Sequence, residues 1–159
     1  MLLYTDEQIE EFCKESKPLP ENYYTVLIDN LRTRDAFKRS SLIVMGVSGN
    51  EYGIHIRKSK ENPLDFSVIF LIKNKIVTGD FILRRYNGKS HQHTNNLEGE
   101  KFRDFHIHYA TERYQQLGST KPEKYARITD RYSDIVGALD CLLEDCGFIL
   151  PDNQRRRLL

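Results

Sequence analysis

The sequence has no tryptophan, two methionines, five prolines and three cysteines in 159 residues. Cys13, Cys141 and Cys146 are odd in number and form no Cys-x-x-Cys pair, so a reduced, cytoplasmic protein with cysteines as small core residues is expected. An excess of either charge is also missing. The formal net charge is +1, which argues against a surface coated for non-specific DNA binding and leaves room for a local basic site. The longest apolar runs, such as residues 41–47 (SLIVMGV), fall far short of the roughly 20 residues a membrane span needs. The first residues have neither the basic start nor the apolar stretch of a secretory signal, and no membrane partner is expected.

What is present is enough to build one core. Hydrophobic residues make up 39 %, with nine Tyr and eight Phe supplying bulk. A length of 159 residues fits a single domain, here read as residues 1–150 followed by a basic tail over 151–159. Thr5 and Gln8 match a capping box ahead of Ile9, Phe12 and Cys13 at helical spacing, and the prolines of KPLPEN (residues 17–22) stop that helix. From about Arg39 the period becomes strand-like. Tyr52, Ile54 and Ile56 alternate with polar neighbours, as do Phe66, Val68, Phe70 and Ile72, and residues 75–86 (KIVTGDFILRRY) read as a further strand. A short helix is expected over residues 111–118 and a longer one from near Asp130, with the stripe Ile135, Val136, Leu139, Leu142, Leu143 and Cys146. The expectation is an α+β fold: a central antiparallel meander with N- and C-terminal helices on one face.

Four of the five histidines fall in one stretch as two His-x-His pairs, His91/His93 and His106/His108. Asn87-Gly88 reads as a two-residue hairpin turn, which places Arg84 opposite His91 and sets Arg84, His91 and His93 on one ribbon face. In DFHIHYAT, Phe105 and Ile107 point inward while His106 and His108 share the other face. Thr111 then opens a short helix, whose first N–H groups attract phosphate.

Three readings follow. In the first, His91, His106 and His108 are acid and base of a metal-independent ribonuclease that needs no cofactor. Arg84, Arg85, Lys89 and Thr111 then hold RNA or another phosphate-containing ligand. In the second, His91, His93, His106 and His108 bind zinc or another divalent transition metal, with Glu98, Asp104 or Glu112 available to complete the shell. In the third, the histidines only order a loop of a structural module or one that binds a protein partner. Oligomeric state is open under all three.

The run LRRYNGKSHQHTNN…FHIHYATERY, followed by KYARIT and LLEDCGF, resembles a group of small uncharacterised bacterial and prophage proteins. Their skeleton is an arginine-bearing strand, Asn-Gly, a histidine, and a strand with His-x-His. Arg84 or Arg85, Asn87, Gly88, His91, His106 and His108 match it; residues 89–92 and the insert around Glu98 depart from it. The likeness covers roughly the second half of the chain. It implies a shared fold and a bacterial setting, in which a mobile-element or phage-conflict role would fit, and it assigns no reaction.

Overall fold

The capping box forms as the sequence requires. Thr5 Oγ1 accepts from the Gln8 amide at 3.1 Å and the Gln8 side chain accepts from the Thr5 amide at 2.9 Å, opening α1 (Asp6–Lys14) with Ile9 and Cys13 buried. The protein is described by a computed structural model over residues 2–73, 79–118 and 121–152. The expected basic tail beyond Asp152 and the start of the strand expected over 75–86 lie outside those residues.

The chain continues through β1 (Lys17–Pro18), a single π-helical turn (Thr25–Asp29), β2 (Arg32–Arg34), β3 (Phe37–Met45), β4 (Glu51–Ser59), β5 (Phe66–Lys73) and β6 (Asp80–Asn87). The short strands β7 (His93–Asn95) and β8 (Glu100–Phe102) follow. Then come β9 (His106–Tyr109), α2 (Glu112–Gln116), β10 (Tyr125–Ile128), α3 (Ile135–Asp145) and β11 (Phe148–Ile149). Seven strands form an antiparallel sheet in the order β10-β9-β6-β5-β4-β3-β2; β7 pairs with β8, and β1 with β11. The α+β expectation holds.

Alternation decides which face is inward. Tyr52, Ile54, Ile56, Val68, Phe70 and Ile72 are buried in one cluster with Ile9 and Cys13 of α1 and with Ile135, Leu139 and Leu142 of α3. The two helices therefore cover the same face of the sheet. Lys17 fastens their ends together. It is fully buried, and its ammonium donates to the carbonyls of Phe12 (2.6 Å), Glu15 (2.7 Å) and Cys146 (2.7 Å), last-turn acceptors that would otherwise be orphaned. Burial lowers its pKa to about 8. The last helix starts later than the period alone indicates, because Asp134 caps it by accepting from the Gly137 amide at 2.8 Å.

Two sequence expectations fail around β6, each for a physical reason. Asn87-Gly88 is no two-residue turn. Asn87 stays in strand opposite Ser67 and His106, and Gly88 donates to the Phe66 carbonyl at 3.0 Å. The free edge of β6 is taken by β9, which sets buried Ile107 beside Tyr86; residues 89–92 have no apolar side chain to offer there. The strand also carries a bulge, with Phe70 opposite Arg84 and Leu71 opposite Ile82, so Leu83 is the extra residue. A bulge reverses the alternation beyond it. Arg84 consequently lies on the helix side, 3.3 Å from the Tyr86 hydroxyl and 3.9 Å from Asp145, and Arg85 lies on the other.

The glycine of Asn87-Gly88 is required by close approach, since a Cβ there would clash with the Leu64 carbonyl oxygen. Gly88→Ala is expected to destabilise the protein by about 1–3 kcal/mol, as overpacking against backbone does. Chemical denaturation measures this directly, and an unchanged midpoint would refute the crowding.

Candidate metal centre

The sheet face away from the helices holds the histidines. On β9, His106 and His108 are two residues apart and project to the same side, opposite Asn87 and Arg85 respectively. The hairpin of β7 and β8 folds back over this face and delivers His93 from the third direction. Ring centroids are 5.4 Å apart for His93–His106, 4.8 Å for His93–His108 and 4.9 Å for His106–His108. All three side chains are buried, and one ring nitrogen of each lies within 4.8 Å of the other two.

Hydrogen bonds fix the tautomers. His106 Nδ1 donates to the Asp104 carbonyl at 2.7 Å, and His108 Nδ1 to the Glu123 carbonyl at 2.9 Å. A carbonyl only accepts, so Nδ1 carries the proton in both rings and Nε2 keeps its lone pair. His93 is set by Asn95. The Asn95 side chain donates through Nδ2 to the Ala126 carbonyl at 2.8 Å and accepts at Oδ1 from the Ala126 amide at 2.9 Å. Those two backbone groups permit one amide orientation. Oδ1 then accepts from His93 Nε2 at 2.7 Å, leaving His93 Nδ1 with the lone pair. Three rings thus each have one nitrogen tied to an acceptor and one lone pair for a ligand, the outer-shell pattern that orients histidines on metals.

Charge state agrees. Burial is the main cause of lowered basicity for all three rings, and each is further lowered by positive neighbours. For His108 the displacement is largest, to about 2, through burial and then the flanking His106, His93 and Arg85. Neutral imidazole is the form that coordinates. Bonds of about 2.0–2.1 Å at tetrahedral angles place ligand nitrogens about 3.3 Å apart, so the rings would have to draw together to hold an ion. Among the described residues no carboxylate joins it. Glu98 is engaged by Arg113 (2.6 Å) and Tyr114 (2.6 Å), Glu112 is not part of the cluster, and Asp104 contributes only its carbonyl.

No protein-family model, curated protein or solved structure matches this chain. The site stands on its own geometry.

The triad opens on a cavity of about 510 Å³ whose walls include Arg57, Arg85, His91, Lys121 and Lys124. Arg85 is held by Glu123 at 2.7 Å, so Glu123 orients a guanidinium with its side chain and His108 with its carbonyl. Of the residues expected from sequence, His93, His106 and His108 converge. His91 reaches the cavity but not the triad, and Arg85 lines the wall. Arg84 is on the opposite face, as the bulge dictates. Lys89 sits over the Phe105 ring at 5.0 Å, outside the cavity. Thr111 accepts from the Tyr114 amide at 3.2 Å as the cap of α2, also outside it. Asn95, Lys121, Glu123 and Lys124 carried no signal in sequence beyond Asn95 sharing strand parity with His93.

Two outcomes test this geometry. Asn95→Ala strands the Ala126 amide and carbonyl and the His93 N–H, and should cost about 2–3 kcal/mol in denaturant unfolding. The three histidines stay neutral when folded and take up protons when unfolded below their ordinary value of 6.5. Stability of chelator-treated protein is therefore level above that pH and falls as pH drops through it, because only the unfolded state binds those protons. A Tm unchanged between about pH 7 and 5 would contradict neutral, buried rings.

Proposed function

We propose that this chain binds a divalent transition metal of the zinc class through His93 Nδ1, His106 Nε2 and His108 Nε2, and uses it to hydrolyse phosphate esters. The supporting observation is the triad itself: three buried imidazoles, each with one nitrogen anchored to an acceptor, and one ring nitrogen of each within 4.8 Å of the other two. Three protein ligands with the remaining side open to a cavity is the arrangement of catalytic zinc, which lowers the pKa of bound water to about 7.

The cavity supports an anionic substrate. Its lining carries Arg57, Arg85, Lys121 and Lys124 against Asp65 and Glu123, an excess of positive charge suited to non-bridging phosphate oxygens. In hydrolysis a water that has given its proton to solvent would attack phosphorus, the ester P–O bond would break as the new P–O bond forms, and the departing alkoxide would take up a proton. His91, exposed on the same wall, would give that proton. A metal-free mechanism instead asks His106 or His108 to become imidazolium, which burial and the neighbouring cations oppose.

Elemental analysis of purified protein should find close to one transition metal per chain. Zinc at about 100 times its Kd should add about 2.7 kcal/mol to the stability of chelated protein. Asn95→Ala should weaken metal binding about 10–100-fold, and His93→Ala should abolish it. His91→Ala should keep the metal and lose phosphodiester turnover. Protein that binds none of zinc, cobalt, manganese or iron refutes the metal, and turnover indifferent to chelator hands the site back to paired histidine acid–base chemistry.

A further inference from the structure

The strand register lays a straight row of residues across the face that holds the triad. Arg32 of β2 faces Arg39 of β3, and Arg39 faces Arg57 of β4. Arg57 faces Ser67 of β5, Ser67 faces Asn87 of β6, and Asn87 faces His106 of β9. Directly opposed residues project to the same face, so six strands each contribute one position to a line ending at the histidines. With strands about 4.8 Å apart, the line is about 24 Å long.

Three consecutive positions in that line are arginine. Like charges directly opposite one another destabilise a sheet, and a net charge of +1 gives no compositional reason for three in succession. Arg32 and Arg39 are exposed and have no acidic partner among the described residues. Arg57 is held by Asp65 at 3.1 Å. Arg39 and Arg57 also flank the half-buried Phe37 ring, at 5.7 and 4.6 Å from its centroid. Two hollows run along the row and meet at Arg57: one includes Arg32 and Arg39, the other the histidines.

We propose that the row Arg32–Arg39–Arg57 is a binding track for a single-stranded nucleic acid, whose phosphates follow the guanidinium groups to the histidine end. The three guanidiniums follow one line across the strands, with exposed Arg34 beside Arg32 on the same face, and a single phosphodiester backbone can follow that line. Forked guanidiniums bind phosphate in pairs of hydrogen bonds. At the stacked rise of about 3.4 Å per nucleotide the track accommodates about seven. Only cleavage of the strand at the end of the track rests on the metal reading; binding along it does not.

The experiment is fluorescence anisotropy on the full chain in chelator, with labelled single strands of about 12 nucleotides, RNA and DNA of one sequence, over a salt series. Both arms report the shared phosphodiester chemistry, and any difference between them reports the 2′-hydroxyl. The expected result is binding at about 50 mM salt that Arg32→Gln/Arg39→Gln weakens at least tenfold, with the slope of log K against log salt falling by about 1.4, or about 0.7 per phosphate contact. The double variant should keep its Tm, since both positions are exposed, and Arg32→Lys/Arg39→Lys should restore most of the affinity. Unchanged affinity and slope in the glutamine variant overturn the track. So does a duplex or poly-aspartate bound as tightly as the single strands. Strand binding without metal leaves the track standing even where the metal centre fails, and a metal centre without strand binding does the converse.

Discussion

The site depends on one side chain pairing with one stretch of backbone. Asn95 presents to Ala126 the donor and acceptor that a neighbouring strand would present, and so closes the outer edge of β10 at that point. In a strand the N–H and C=O of a residue point to the same side; at Ala126 that side faces away from β9, and without Asn95 both groups are left in a buried place. The requirement to satisfy them holds β7 against the sheet. Because the amide can meet Ala126 in only one orientation, its oxygen is the atom left for His93, and that choice fixes which nitrogen of the ring remains free. Further along the hairpin, Tyr114 and Arg113 of α2 hold Glu98, so the excursion is fastened near its tip as well.

Electrostatics divide the two faces of the sheet into different tasks. On the helix side, Arg84 is consumed internally by Tyr86 and Asp145, and Lys17 by carbonyls at the ends of α1 and α3. On the open side, cations surround neutral imidazoles. That arrangement disfavours imidazolium and leaves a lone pair on each ring. Glu123 links both parts, orienting Arg85 and His108 from one residue. The metal reading and the strand track draw on the same face but on separable groups.

Local rules made much of the framework legible. Thr5 and Gln8 announced α1 because a capping box satisfies orphan amides within four residues. The stripe from Ile135 to Cys146 announced α3, and the alternation through Tyr52–Ile56 and Phe66–Ile72 announced β4 and β5. His106 and His108 share a face by strand parity alone. Each inference involves groups close in sequence, where geometry follows from backbone periodicity.

Tertiary structure decided the rest, because it turns on choices that local periodicity leaves open. One extra residue at Leu83 moved Arg84 to the far face and left Arg85 at the site. Burial of Ile107, and not the Asn-Gly pair, determined which segment joined β6. The imidazoles meet only because a side-chain amide 31 positions from its partner finds an unpaired strand edge, and the guanidinium row exists only through the register of β2, β3 and β4. Sequence determined which residues could share a face of one strand; contact between strands determined which of them share a site.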